Sequence, residues 1–423
     1  MCPMRAEFQN LIESHPADSL RVALVTETFA PEVNGVAMTL GRMVDGLRQR
    51  GHGVQLIRPR QHKADAPPPQ PGLEHVVVPG LPIPRYPGLR FGRPNGRTLQ
   101  RLWAENRPHI VHVATEGPLG WAALNTARRM GIPVSSTFHT NFDAYSRYYG
   151  IGWLRGGIMR YLRHFHNKAN TTLVPTRRQA DSLNENGFRN VGVLSRGVDT
   201  KLFTPARRTR SLRARWGLGG DELVVAYVGR IAPEKNLGLL IKAFDAIREK
   251  VPNARLLFVG DGPAAAELRR RSDNRSPYLF VGMRHGEDLA EHYACADLFL
   301  FPSLTETFGN VTTEALASGL AVVAFDYGAA GELIRDRING CLVPNGASKR
   351  FIDTAVEVAT NDELRRSLRH HAASSVAHLD WENIHNSFES ALRSHISSPA
   401  GNPLDNTINS PTDTPASSQA QNA

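Results

Sequence analysis

Cysteine is scarce in this chain. Only Cys2, Cys295 and Cys341 occur among 423 residues. That odd, sparse set builds no disulfide framework and offers no paired CxxC spacing for a metal. Such usage fits a reducing, cytoplasmic compartment. Long hydrophobic runs are missing as well. No uncharged apolar stretch approaches the ~18–20 residues that span a bilayer. Met1–Leu20 carries Glu7, Glu13 and Asp18 and lacks the apolar segment of a secretory signal. Several signature motifs are absent. No Asp-x-Asp triplet occurs, which argues against metal-bound nucleotide-diphosphate chemistry of that type. There is no GxxxxGK[ST] loop, no HExxH and no GxSxG. The nearest echo of a dinucleotide fingerprint, Gly260-Asp261-Gly262-Pro263, has proline where the helix would start and no third glycine. No metal and no cofactor is expected.

What the chain does contain is 41% hydrophobic residues, enough for a sizeable core, and a net charge of +10 that is unevenly spread. Residues 1–200 hold 25 Lys and Arg against 14 Asp and Glu; residues 201–423 hold 25 against 26. A basic first half suggests an anionic partner there, with ordinary solubility as the plainer reading.

Short Val/Leu/Ile-rich runs recur, each followed by a helix-like segment. In the first half they fall at 21–26, 54–58, 109–113, 133–138, 171–175 and 191–195. In the second half they fall at 223–228, 255–259, 278–281, 298–301, 321–325 and 341–343. Near-continuous apolar runs mark strands buried on both faces, and strand–helix alternation implies doubly wound α/β units. The pattern restarts once, after a strandless interval. The expected division is a flexible 1–20, a Rossmann-like domain at 21–199, a linker at 200–222, a second Rossmann-like domain at 223–396 and a disordered tail at 397–423. Arg60–Pro71 and Pro79–Pro94 read as proline-rich loops.

Ligands of such sheets sit at the carboxyl ends of strands, and this ranks the polar residues. Val228–Asn236 (VGRIAPEKN) places Arg230 and Lys235 five residues apart after a strand, a pair suited to a diphosphate or simply a solvated surface pair. Pro302–Glu314 (PSLTETFGNVTTE) places Glu306 in a post-strand loop, with Phe308-Gly309-Asn310 opening a helix whose free N–H groups suit phosphate. Glu314, two turns in, can accept from sugar hydroxyls or be a surface carboxylate. Asn34–Gly35 precedes a first-half helix and is a second candidate phosphate contact. His139 ends the run at 133–138 and either meets substrate or is packed. His109 and His112 read as structural.

Together, E-T-F-x-P-x-x-N-G-V, F-H-T, V-G-R-x-x-x-x-K-N and E-x-F-G-x-x-x-x-E resemble the retaining GT-B glycosyltransferases of family 4 over residues 20–395. The resemblance implies two Rossmann-like domains facing across a cleft and hexosyl transfer from a nucleotide-diphosphate sugar of the GDP-mannose or UDP-glucose type. It implies that Arg230 and Lys235 bind the diphosphate, that Glu306 binds the donor sugar and Glu314 the ribose, and that Phe308, Gly309, Asn310 and Val311 contact phosphate and sugar. It further implies that Gly35 lines the phosphate from the opposite domain, that His139 faces the sugar, and that backbone around Gly282–Arg284 reads the base. One departure stands out: the family's N-G-V-D is here Arg196-Gly197-Val198-Asp199.

The acceptor is read from charge. Residues 144–180 contain no acid but hold Arg147, Arg155, Arg160, Arg163 and Lys168 among aromatic and aliphatic residues. Residues 75–104 are also acid-free and hold Arg85, Arg90, Arg93, Arg97 and Arg101. The expected partner is an anionic membrane surface carrying a lipid acceptor, the protein being peripheral on the cytoplasmic face. Alternatives are a soluble sugar acceptor and, from another class, a nucleic acid; no recognition signature for nucleic acid is present, so none is expected.

Overall fold

The computed structural model describes residues 18–396 apart from positions 31, 33, 63–64, 66, 84–85, 94, 140–154, 221, 271–276 and 307. Two parallel sheets form its framework. The first comprises β1 (Arg21–Val25), β2 (Gly53–Pro59), β3 (Leu73–Val78), β6 (Ile110–Val113), β7 (Val134–Thr137), β8 (Thr171–Val174) and β9 (Val191–Val193), in the order β3-β2-β1-β6-β7-β8-β9. Between β3 and β6 an antiparallel hairpin, β4 (Gly80–Ile83) and β5 (Tyr86–Gly92), stands apart from the sheet.

The second sheet comprises β10 (Val224–Val228), β11 (Arg255–Val259), β12 (Tyr278–Gly282), β13 (Leu298–Phe301), β14 (Ala321–Phe325) and β15 (Cys341–Val343). Its order is β12-β11-β10-β13-β14-β15. Each sheet therefore reverses its winding once, between β1 and β6 and between β10 and β13. Crevices at such points are where open α/β sheets hold ligands.

All twelve strands expected from apolar runs are present. The proline-rich reading of 79–94 is corrected: this stretch holds β4 and β5. An isolated two-stranded ribbon tolerates proline because it needs no donor on its open edges, and Pro82 pairs with Arg90 in it. β3 also escaped the sequence reading, since Glu74 and His75 interrupt its apolar run.

The strands of the second sheet are apolar apart from Arg255 at the head of β11; VVAYV of β10 and LFLF of β13 are wholly buried. The first sheet instead buries hydroxyls and imidazoles that satisfy one another. His112 Nδ1 lies 2.8 Å from Ser135 Oγ and its Nε2 lies 2.6 Å from Thr137 Oγ1. Ser136 Oγ lies 2.9 Å from His166 Nδ1 and 3.0 Å from Thr172 Oγ1. Burial pushes the His112 imidazole down to about 3, so it stays neutral and structural. His109 is structural too, its Nδ1 accepting from the Arg21 N–H at 2.9 Å.

Among the described residues, several contacts tie the halves together and brace the interval between them. The final helix, Trp381–Arg393, crosses back onto helix Gly35–Gln49, so closely that a Cβ on Gly46 would lie 2.4 Å from the His385 ring. On this helix Glu389 meets His52 Nε2 at 3.2 Å and Arg50 Nε at 3.4 Å. The interval 200–222 carries Arg208 and Arg213, which converge with Arg369 on the buried carboxylate of Asp297 at 2.9, 3.3 and 2.9 Å. Elsewhere, Arg178 of the first half reaches Asp326 of the second at 2.9 Å, and Glu332 accepts from the Arg177 N–H at 3.1 Å.

Candidate active site

The loop after β10 turns at Gly229 (φ +143°), and Arg230, Pro233–Lys235 and Asn236 follow. The loop after β11 is pressed against it. A Cβ on Gly260 would lie 2.1 Å from the Gly229 carbonyl, and one on Gly262 would lie 2.4 Å from the Ile231 carbonyl. The GDG triplet that imperfectly echoes a dinucleotide motif is thus explained by this close backbone approach. Below the loop, the buried Tyr227 hydroxyl donates to the Arg230 carbonyl at 2.9 Å. Asn236 Nδ2 donates to the Pro302 carbonyl at 3.2 Å and joins this loop to the one after β13.

Across that join, Lys235 Nζ lies 2.6 Å from Glu306 Oε1, both side chains mostly buried. Arg230 pairs with Glu234 and is 63% exposed, so it has freedom to swing onto a ligand. Gly309 takes φ +98° and starts helix Asn310–Ala317, which has no side-chain cap; its first-turn N–H groups are presented without a side-chain acceptor. Phe308 is buried, and its carbonyl accepts from the Ala329 N–H at 2.6 Å, which fixes the loop from behind. Glu314 accepts from the Tyr293 hydroxyl at 2.9 Å, and burial pushes its carboxyl up to about 7. Gly282 closes β12 at φ +76°, with its carbonyl accepting from the Gly260 N–H at 2.8 Å.

The first sheet supplies the opposing wall. Asn34 caps helix Gly35–Gln49 by accepting from the Val36 and Ala37 N–H groups. His139, at the end of the run through β7, is buried; burial and the adjacent Arg196 cation hold its imidazole well below the usual range. Arg196 Nη2 lies 3.3 Å from His139 Nδ1. Its guanidinium carbon lies 5.9 Å over the Phe308 ring of the second sheet's loop. Its Nη1 lies 3.6 Å from where a Gly35 Cβ would stand. Arg196 therefore touches three elements that the sequence motifs named separately.

Glu27 was overlooked among the residues of the ETF motif. It is buried at the carboxyl end of β1, where Oε2 accepts from Gly92 N–H at 2.6 Å and Oε1 from Leu119 N–H at 2.9 Å. It thereby anchors the β4–β5 hairpin and the start of helix Pro118–Arg129, and burial pushes its carboxyl up to about 7. Only its place just after β1 distinguishes it in sequence.

The five basic residues expected to face membrane or acceptor divide. Arg147 lies outside the described residues. Arg155 begins helix Arg155–His166, and its side chain is likewise outside them. Arg160 and Arg163 are exposed, while Leu162 and Phe165 of the same helix are buried and Ile158 and Met159 pack against the core. Lys168 Nζ sits 5.6 Å over the Trp121 ring. This helix therefore turns its apolar face into the protein, not outward.

Residues 33–202 match the family described as Glycosyltransferase Family 4, and residues 222–361 match Glycosyl transferases group 1. A GDP-mannose-dependent alpha-mannosyltransferase of Mycobacterium tuberculosis (strain CDC 1551 / Oshkosh) is 34% identical over 371 residues, covering 86% of this chain and 93% of that protein. The chain belongs to glycosyltransferase family 4. An alpha-monoglucosyldiacylglycerol synthase of Streptococcus pneumoniae is 26% identical over 333 residues, covering 76% of this chain and 75% of that protein. In fold, the sucrose-phosphate synthase of Thermosynechococcus elongatus superposes with a TM-score of 0.72 at 19% identity, covering 89% of this chain and 98% of that one. This family 4 enzyme is thus a nucleotide-sugar glycosyltransferase with the GT-B arrangement of two Rossmann-like domains.

Proposed function

We propose that the enzyme is a retaining, metal-independent hexosyltransferase, with GDP-mannose as donor ahead of a UDP-glucose-type donor, acting on a lipid acceptor at the cytoplasmic face of an anionic membrane. One observation carries the reading. Lys235 and Glu306, from the two loops that flank the second sheet's winding reversal, meet at 2.6 Å. In this reading Lys235 and Arg230 hold the diphosphate and neutralise charge that develops on it as it leaves, the service a divalent ion gives elsewhere. Glu306 holds donor-sugar hydroxyls and Glu314 the ribose. N–H groups of Phe308–Val311 hold phosphate and sugar; Gly35 and His139 approach from the opposite wall, and the backbone at Gly282–Arg284 reads the base.

Retention follows from a same-face substitution. The acceptor hydroxyl oxygen bonds to the anomeric carbon as the carbon–phosphate-oxygen bond breaks. The electron pair stays on the distal phosphate, and that oxygen takes the hydroxyl proton. GDP-mannose is favoured by the 34% identical relative named for it.

The lipid acceptor is supported by the relative named as an alpha-monoglucosyldiacylglycerol synthase and by a surface patch. Leu81 and Phe91, directly paired across the hairpin, are 53% and 36% exposed. Arg93, Arg97 and Arg101 follow in sequence and are exposed, the last two one turn apart on helix Gly96–Glu105. Each basic side chain near an anionic surface contributes ~1 kcal/mol. Among the described residues no helix is long and apolar enough to cross a membrane.

The test is nucleotide diphosphate release from a panel of nucleotide sugars, with and without a lipid extract. Release from GDP-mannose that requires lipid, giving an α-linked product, supports the reading; equal release with soluble sugars moves the acceptor assignment to them.

A further inference from the structure

The residue by which this chain departs from the family's N-G-V-D sequence sits in the cleft. Arg196 lies three positions past the end of β9, and its backbone is fixed there. A Cβ on the next residue, Gly197, would lie 2.5 Å from the Trp381 ring, and the Val198 N–H donates to the Leu379 carbonyl at 2.9 Å. The side chain is 95% buried, and no carboxylate among the described residues lies within ion-pair distance of it; the Glu306 carboxylate acts on it from beyond that distance. Its polar contact is a neutral imidazole, His139 Nδ1 at 3.3 Å, and its flat face covers Phe308 at 5.9 Å. Buried cations are ordinarily paired, because desolvating one alone is costly. Lys235 and Arg230, by contrast, already rest on Glu306 and Glu234.

A second donor lies beside it. Since His139 Nδ1 accepts from Arg196, the imidazole proton resides on Nε2, which is buried and has no partner among the described residues. Two buried groups thus lie together: a guanidinium whose polar partner is an imidazole, and an imidazole N–H with no partner among the described residues.

We infer that Arg196 is a ligand for the distal phosphate of the donor diphosphate, a third cation acting from the first domain's wall opposite Arg230 and Lys235. The inference rests on the nucleotide-sugar reading above. A fork of N–H donors suits a phosphate's paired oxygens, and a phosphate held by Lys235 from one sheet and Arg196 from the other joins the two walls of the cleft.

The test compares nucleoside diphosphate with monophosphate, since only the former carries the distal phosphate. Dissociation constants for GDP, GMP, UDP and UMP are measured by calorimetry on the full chain, for the wild type, Arg196→Asn and Arg196→Lys. Arg196→Asn should weaken diphosphate binding about 10- to 100-fold, as loss of a charge-assisted hydrogen bond does, and change monophosphate binding by no more than about twofold. Arg196→Lys, which keeps the charge and loses the fork, should fall between. The melting temperature of Arg196→Asn should match or exceed the wild type, because a buried cation without an ion-pair partner is removed; if that variant does not fold, the wild type and Arg196→Lys decide alone. An unchanged ratio of monophosphate to diphosphate affinity overturns the inference. So does intact diphosphate binding with a raised KM for acceptor, which would assign Arg196 to an acidic group of the acceptor. If the wild type binds neither GDP nor UDP, the nucleotide-sugar reading itself falls and this inference with it.

Discussion

Glu314→Gln separates electrostatics from packing at the ribose end of the cleft. The carboxyl is pushed up by burial from 4.5 to about 7, and among the described residues its hydrogen bond is from the Tyr293 hydroxyl at 2.9 Å. A folded-state value above the unfolded one means that folding favours the protonated acid. The stability this group contributes is complete below pH 4.5 and is lost as pH rises through 7. At about 1.4 kcal/mol per pKa unit, the ceiling on that loss is about 3 kcal/mol, and water reaching the half-buried carboxyl reduces it to about 1–2 kcal/mol. Glutamine keeps an oxygen for Tyr293 and has no proton to lose. Urea unfolding of both proteins at pH 4.5 and 8.5 should therefore show the variant gaining about 1–2 kcal/mol on the wild type between the two values. A difference that stays flat, or falls with pH, refutes the burial argument. Nucleotide binding should show the opposite preference. Ribose hydroxyls donate to the ionised carboxylate, so wild-type GDP affinity should rise as pH passes 7. The variant should lose this pH dependence and bind about tenfold more weakly at pH 8.

Other outcomes follow from the same geometry. Lys235→Met and Arg230→Met should each lower kcat by about 10²-fold or more with unchanged circular dichroism; near-wild-type turnover in either variant would sink the diphosphate assignment. Asp297→Asn removes the carboxylate shared by Arg208, Arg213 and Arg369 and should cost about 3–5 kcal/mol in urea unfolding; a loss under 1 kcal/mol would mean that water already screens the cluster. Leu81→Ser/Phe91→Ser, with Arg93, Arg97 and Arg101 changed to Gln, should reduce flotation with anionic vesicles about tenfold or more while leaving GDP binding unaltered; undiminished flotation would move the membrane contact elsewhere.

The framework was legible because parallel strands buried on both faces leave an unbroken apolar signal. β10, β11, β13 and β14 are such runs, and each was placed within a residue or so. β3, β4 and β5 were not legible. The first carries Glu74 and His75, and the other two carry proline in a ribbon that no sheet covers. The candidate site was legible as separate loops, because glycine and charge after a strand form a local signal. Which loops meet is not local: Arg196 is 57 positions from His139 and over a hundred from Phe308, and only the two-sheet arrangement joins them. Helix Arg155–His166 illustrates the converse. Its basic and apolar residues interleave as a lipid-facing helix's would, but the apolar stripe is buried in the protein, a choice that composition does not encode.

The ion pairs of the cleft bear on how a donor enters. In the cleft Lys235 pairs with Glu306 and Arg230 with Glu234. An arriving diphosphate therefore meets cations that must exchange one oxyanion for another, which largely conserves their desolvation and hydrogen bonding. The same exchange frees Glu306 to accept from hydroxyls of the sugar that the diphosphate carries. Diphosphate and sugar recognition are thereby coupled through one ion pair. A free nucleoside diphosphate brings no sugar hydroxyl to Glu306, and a free sugar leaves Lys235 still occupied. The donor as a whole satisfies both groups, so the arrangement favours the intact nucleotide sugar over either of its parts.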